Sequence, residues 1–101
     1  MRRVVWSRRA LSDAGDILRH IAADDASAAR KVIDRIEATG EALGEYATGH
    51  PGRVAGTYEK SLRQLPYIIA YALTDNAQTI AILRVIHAAR EWQDEGWPQD
   101  R

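Results

Sequence analysis

The sequence predicts an α+β fold in which a helical hairpin packs on one face of a small, mostly antiparallel sheet, in the order β-α-α-β-β-β. Three observations predict it: a short β-branched segment at the start, two successive stretches with helical periodicity, and two strongly apolar runs in the second half. Because 101 residues suffice for only one hydrophobic core, we expect residues 1–101 to form a single domain.

The first strand and the first helix meet at Ser7. Residues 4–6 are β-branched and aromatic, as strands prefer. After Ser7 the period changes, which predicts an amphipathic helix over residues 8–23 with Ser7 as its N-cap. The apolar residues that recur there at spacings of three and four are Leu11, Ala14, Leu18 and Ile21.

A second amphipathic helix follows after a short break. Asp24 and Asp25 place carboxylates where they can cap it, and its apolar stripe continues to Ala47. Gly40 and Gly44 weaken a helix by roughly 1 kcal/mol each, so we expect them to admit a neighbouring side chain. Two helices with so short a link form an antiparallel hairpin.

The second half of the chain is composed of strand-forming residues. The Gly and Pro cluster at residues 49–52 ends the helix. Residues 58–63 form a weak strand, whereas residues 67–73 and 79–87 are strong apolar strands joined by a turn over residues 74–78. The segment after the last strand is acidic, and we expect a loose tail over residues 93–101.

Charge and cysteine content exclude several classes of protein. Fourteen basic and fourteen acidic residues cancel overall, but residues 48–90 hold five basic residues against two acidic ones. The absence of cysteine excludes disulfides and thiolate chemistry, and no His, Asp and Glu set has metal-ligand spacing, so we expect neither a metal nor a cofactor. We see no secretory signal and no membrane span, which predicts a cytoplasmic protein without membrane contact.

Arg84 and His87 are the chemically informative residues of the last strand. Arg84 interrupts an apolar strand, so we expect it to project from the sheet face away from the helices, and either to contact a partner there or to pair with an acid such as Glu59. His87 is either a proton-transfer group or a hydrogen-bonded histidine that closes the strand's end.

Five stretches in the same order resemble one protein family. They are residues 5–10, 28–36, 53–57, 65–71 and 82–90. On these residues the chain resembles the RelE/ParE superfamily of type II toxins, in its ParE-like, plasmid-stabilisation branch. The resemblance implies the fold described above and a neutralising antitoxin that folds on binding. It also implies a target, since ParE-like members poison DNA gyrase and RelE-like members cleave mRNA on the ribosome.

The residues favour the gyrase target. A nuclease would use Glu59 or His87 for proton transfer and Arg63 and Arg84 for phosphate, but no tyrosine adjoins His87 and the chain has only two lysines. We therefore expect a gyrase inhibitor, with a RelE-like mRNA endonuclease or a non-toxic degenerate member as alternatives. The target-binding candidates are Arg53, Arg63, Arg84, His87 and Arg90.

A ParD-like antitoxin is the expected protein partner. A small sheet leaves edges and apolar surface that a partner can bury by helix-in-groove docking and strand addition. The basic surface between Arg53 and Arg90 would attract an acidic partner and also serve the target, so that the two exclude each other. The antitoxin-binding candidates are Leu18, Ile21, Tyr67, Tyr71 and Trp92.

Overall fold

The computed structural model describes residues 1–89 and contains two helices and five strands. These are β1 (Arg3–Trp6), α1 (Arg8–Ala22), α2 (Ala26–Ala42), β2 (His50–Pro51), β3 (Tyr58–Ser61), β4 (Tyr67–Thr74) and β5 (Thr79–His87). The predicted order of elements is confirmed, with the short β2 added. Arg90, Trp92 and the predicted tail over residues 93–101 lie outside the described residues.

The five strands form one sheet in the order β1-β5-β4-β3-β2. β1 pairs with β5 in parallel, and the three other pairs are antiparallel. The predicted α+β class with a mostly antiparallel sheet is therefore confirmed. Sequence reasoning missed β2 because it has only two residues, one of them Pro51, which lacks an N–H and is tolerated at a sheet edge.

The hydrophobic core lies between the helices and one face of the sheet. Ile33 and Ile36 of α2 pack there with Ile80, Ile82 and Val85 of β5. The other face carries a smaller buried cluster that contains no helical residue. Its members are Ala70, Ala72, Leu83 and Ile86, with Val54 packed against them. Both helices thus cover the same face, as predicted, and β5 is buried on both of its sides.

An extra residue interrupts the pairing of β4 and β5. Ala70 is opposite Arg84 and Tyr71 is opposite Ile82, so Leu83 is the additional residue of a β-bulge. A bulge shifts the in-and-out alternation of side chains and redirects the residues beside it. Arg84 stands directly after this bulge, opposite Ala70 of the cluster on the face away from the helices.

The predicted helix caps are present. The Ser7 hydroxyl accepts a hydrogen bond from the Ala10 amide at 3.0 Å, and the Asp25 carboxylate accepts one from the Ala28 amide at 3.0 Å. None of the helices in residues 1–89 is long and apolar enough to cross a membrane.

Gly40 has the role that the sequence predicted, whereas Gly44 lies beyond the end of α2 and admits a backbone carbonyl. A Cβ at Gly40 would collide with the ring of Trp6, whose Nε1 donates to a Glu41 carboxylate oxygen at 2.8 Å. A Cβ at Gly44 would lie 2.7 Å from the Arg2 carbonyl oxygen. α2 ends at Ala42 rather than at Ala47, and the close approach of Gly44 to the N-terminal strand accompanies this early end.

Candidate functional site

Arg84 reaches the helical hairpin rather than open solvent. Its Nε donates to Asp13 Oδ2 at 2.8 Å and its Nη2 lies 3.3 Å from Asp13 Oδ1. Asp13 belongs to α1, whereas the register pairs Arg84 with Ala70 of the cluster away from the helices, so Arg84 leaves the sheet on that face and reaches Asp13 at the β5 edge. The acid that pairs with it is Asp13, not Glu59, because α1 begins beside β5 where β1 stops and places its carboxylate along that edge.

Asp13 hydrogen-bonds to the edge of β5 beyond the point where β1 ends. The last ladder bond from the β1 side runs from the Ser7 amide to the Ile82 carbonyl at 2.9 Å. Beyond it, the Ser7 hydroxyl donates to the Leu83 carbonyl at 2.9 Å and Asp13 Oδ2 accepts from the Val85 amide at 3.0 Å. Side chains of the α1 region thus satisfy the β5 edge, as a buried edge requires.

The buried carboxylate of Asp13 was missed by sequence reasoning, although the sequence carries a signal for it. The core-facing side of α1 includes Ala10, Asp13 and Ile17, which follow one another at spacings of three and four. Leu11 and Leu18, assigned to the apolar stripe, are exposed. An acid at helical spacing with buried apolar residues indicates an internal ion pair.

Glu59 is a structural carboxylate. Its side chain is 3% exposed, and Oε2 accepts from the Arg53 amide at 2.8 Å and from Arg53 Nε at 3.1 Å. The loop between β2 and β3 closes over this pair through a bond from the Gly52 amide to the Thr57 carbonyl at 2.8 Å. The Arg53–Glu59 pair therefore holds this loop.

His87 closes the end of β5. Its Nδ1 accepts from the Ala89 amide at 3.1 Å, and its ring meets that of Tyr67 edge to face, with centroids 5.5 Å apart. In the neutral ring the proton then lies on Nε2. The hydrogen-bonded interpretation of His87 is the one that the structure shows.

The two candidate proton-transfer residues lie on opposite faces of the sheet. Glu59 is paired with Ala70, whose side chain belongs to the cluster away from the helices. His87 is paired with Tyr67, which belongs to the core on the helix side. Because directly paired residues point to the same face, the sheet itself separates Glu59 from His87.

Arg63 and His87 lie at the same end of the sheet. Arg63 is exposed in the turn after β3, where its carbonyl accepts from Arg35 Nη2 at 2.9 Å. The same turn is tied to the end of β5, since the Ala88 amide donates to the Pro66 carbonyl at 2.7 Å. Of the five predicted target-binding residues, these two lie at this end of the sheet, and Arg90 is outside the described residues.

Two of the predicted antitoxin contacts are core residues. Tyr67 is buried and Tyr71 is 1% exposed, so the expectation that these rings form a partner surface is wrong. The Tyr71 hydroxyl donates to the Thr48 carbonyl at 2.6 Å, and burial raises the pKa of this phenol above 10.0. Leu18 is exposed and Ile21 half-buried on α1, while Trp92 lies outside the described residues.

A groove of about 450 Å³ lies between α2 and β3. Three basic residues line it, and the segment that follows α2 contributes Tyr46, whose exposed fraction is 75%. The full lining is Arg35, Ala38, Thr39, Ala42, Leu43, Tyr46, Thr48, Lys60, Ser61, Leu62 and Arg63. Sequence reasoning missed this groove because its walls are far apart in the chain. Within residues 1–89 no three His, Cys, Asp or Glu side chains form a group that could hold a metal ion.

The comparison with protein families decides the identity of the chain. The model described as ParE toxin of type II toxin-antitoxin system, parDE, matches residues 4–92. The chain belongs to the ParE toxin family. The predicted membership of the RelE/ParE superfamily is thus confirmed. This ParE-family chain belongs to the class of toxins from type II toxin–antitoxin systems.

Two curated proteins are similar to this ParE-family chain over most of its length. A Sinorhizobium fredii protein named "Putative toxin Y4kP" is 40% identical over 92 residues, which cover 90% of this chain and 93% of that protein. Toxin RelE2 of Caulobacter vibrioides is 35% identical over 94 residues, which cover 89% of this chain and 99% of that protein.

A solved structure supports the fold of this ParE-family chain. The chromosomal ParDE toxin–antitoxin system from P. aeruginosa matches with a TM-score of 0.79 at 24% identity. The match covers 86% of this chain and 96% of the other. At this identity the likeness establishes the architecture of two helices on a five-stranded sheet.

Proposed function

We propose that this ParE-family chain inhibits DNA gyrase and is neutralised by a ParD-like antitoxin. The observation that carries the choice of target is the position of Glu59 and His87 on opposite faces of the sheet. A gyrase target also implies that the protein acts in the cytoplasm, where its DNA substrate is.

Cleavage of RNA by attack of its 2′-hydroxyl needs an acid and a base on the same phosphodiester, each within about 3 Å of the proton that it moves. Glu59 is buried and its carboxylate is bound by Arg53. The Arg84 guanidinium is bound by Asp13 and stabilises the fold. A nuclease would instead need this guanidinium to bind the phosphate. This arrangement favours a toxin that acts by binding.

The proposed target contacts are Arg63 and His87, at the end of the sheet formed by the β3–β4 turn and the end of β5. Both can contact an acidic protein surface without breaking a bond. Arg53 and Arg84 act as positioning residues, because each holds a buried carboxylate. Arg90 follows directly in sequence, and we propose it as a further contact on this surface.

The test of the target is the first lesion that appears after induction of the chain alone. We expect DNA breaks and an SOS response before any loss of mRNA, and accumulation of cleaved DNA when the purified protein is added to gyrase. Arg63→Glu should weaken the effect on gyrase about 10-fold, since a reversed charge at a contact repels an acidic surface. The matched control is Arg8→Glu, at an exposed arginine on α1. mRNA cleavage that precedes DNA damage would contradict the proposal.

A RelE-like mRNA endonuclease is the second candidate, favoured by the 35% identity to Toxin RelE2. If it is correct, purified ribosomes with the chain will yield cleaved transcripts, and His87→Ala will abolish the cleavage while the thermal stability changes little. A chain whose expression leaves growth unaffected would instead be the non-toxic member.

A further inference from the structure

We infer that the groove between α2 and β3 binds an acidic amphipathic segment of the neutralising protein partner. The inference rests on the proposed function for the identity of that partner, and it places the partner on a surface that the sequence did not indicate. The groove is defined by α2 on one side and by Lys60, Ser61, Leu62 and Arg63 on the other.

The charge of the groove is of one sign. Among residues 1–89, the ionisable residues that line it are Arg35, Lys60, Arg63 and the phenol of Tyr46, and none of the lining residues in this range is acidic. A cluster of three cations without an acid attracts an acidic chain and repels a basic one. The charge therefore selects the sign of the occupant.

The interior of the groove is apolar. Ala38 and Ala42 expose hydrocarbon surface in it, and the buried Leu43 and Leu62 lie beneath them in its lining. A nucleic acid would need a denser row of cations along its phosphates, whereas an amphipathic peptide can bury apolar side chains here and keep its carboxylates at the margin. The lining thus favours a protein segment over RNA or DNA.

Tyr46 supplies an anchor that the fold itself does not use. Its side chain is 75% exposed beside the groove. Tyrosine is enriched at the centres of protein interfaces because it buries a large area and loses little side-chain entropy. The position of this ring, next to three cations, indicates that a partner covers it.

A segment in the groove would also cover Arg63. This residue lines the groove and belongs to the proposed target surface at the end of the sheet. The partner and the target would therefore compete for one arginine. Neutralisation then follows from exclusion at a shared residue and needs no change of shape in the toxin.

The experiment measures binding by fluorescence anisotropy of the intact chain to labelled peptides of about 15 residues, roughly four helical turns, tiled along the purified cognate antitoxin. We expect the binding peptide to be acidic and its affinity to fall as salt rises. Lys60→Glu and Tyr46→Ala should each weaken it about 10-fold or more. The controls are Lys31→Glu on α2 and Leu11→Ala on α1, exposed residues outside the groove that should change the affinity less than about twofold.

The possible results separate the two proposals. Peptide binding that survives both groove variants, a basic binding peptide, or Lys60-dependent binding of a labelled single-stranded RNA or DNA in place of the peptide would overturn the assignment of the groove. Self-association that Lys60→Glu abolishes would assign the groove to a second copy and overturn it equally. Growth is measured in parallel with the unsubstituted chain: peptide binding in the groove without growth arrest would contradict the proposed function alone.

Discussion

Two halves of the sheet differ in the surroundings of their charged residues. Over β1 and β5 the helical hairpin lies close, and the charged Asp13 and Arg84 satisfy each other together with the Val85 amide. Over β3 the hairpin leaves a groove whose basic margin includes Lys60 and Arg63. The charged side chains of the covered half have partners within the chain, whereas those of the open half are suited to a binding partner.

This difference separates structural charges from functional ones. A charge that lies beneath a helix must find an internal partner, since burial without one is costly. A charge at the margin of an open groove is free of that requirement and can be selected for binding. Substitutions in the covered half should therefore change the free energy of unfolding, and those in the open half should change binding.

The largest effect is expected at the ion pair of the covered half. Asp13→Ala removes the acceptor of both Arg84 and the Val85 amide, and should lower the free energy of unfolding by about 3 kcal/mol. Urea denaturation measures it. Asp16→Ala is the control, because the Asp16–Arg19 pair is exposed and should contribute less than about 1 kcal/mol. Equal losses for both variants would show that the covered half does not depend on this pair.

The next effect tests how closely α2 covers β1. Gly40→Ala drives a Cβ into the Trp6 ring and should cost about 1–2 kcal/mol after the gain in helix propensity. Gly15→Ala in α1 should have the opposite sign and stabilise by roughly 0.5–1 kcal/mol, because its Cβ would meet only the flexible end of Arg19, at 3.4 Å. Thermal melts of the two variants measure these changes in stability. A stabilising Gly40→Ala would contradict the close packing of α2 on Trp6.

A smaller effect is expected where the covered half meets the open one. Tyr71→Phe removes the hydrogen bond to the Thr48 carbonyl and should cost about 1 kcal/mol, whereas Tyr46→Phe should cost nothing measurable. Because burial raises the pKa of Tyr71, the folded state holds the phenol proton more tightly than the unfolded chain. That contribution is complete below pH 10.0 and is lost as the pH rises through the raised pKa. Denaturation at several alkaline pH values should show the loss in the unsubstituted chain and not in Tyr71→Phe.

The smallest effect on stability is expected in the open half. Lys60→Glu should change the free energy of unfolding by less than about 0.5 kcal/mol, because its side chain lines the groove and lies outside the core. Urea denaturation beside Asp13→Ala measures the contrast directly. A loss of stability as large as that of Asp13→Ala would show that Lys60 has a stabilising partner within the chain as well.

Local sequence patterns predicted the elements because each is encoded by neighbouring residues. The strand over 79–87 and both N-caps agree with the structure, since period-two and capping signals lie within a few residues. The predicted apolar stripe of α1 is correct at Ala14, which packs against the core, and wrong at the exposed Leu11. Leu11 fits the spacing as well as the buried Ala10 does, and only the tertiary contact with β5 distinguishes them.

The candidate site was less predictable, because it depends on contacts between distant residues. Arg84 was recognised as unusual from its apolar neighbours, but its partner Asp13 lies 71 positions away in the chain. Tyr71 was assigned to a surface because an aromatic residue in a strand fits either the core or an interface. Neither the bulge nor the contact of α1 with the edge of β5 can be inferred from residue types alone.

The parallel pairing of β1 with β5 also determines when the protein can fold during its synthesis. Arg3 is paired with Thr79, so β1 can pair with a neighbouring strand only after β5 has been synthesised. A nascent chain that lacks Thr79–His87 holds both helices but lacks the strand that joins β1 to the sheet and supplies Ile80, Ile82 and Val85 to the core. Such a high contact order slows folding, and it gives any protein made from the same message an interval in which to meet the unfolded polypeptide.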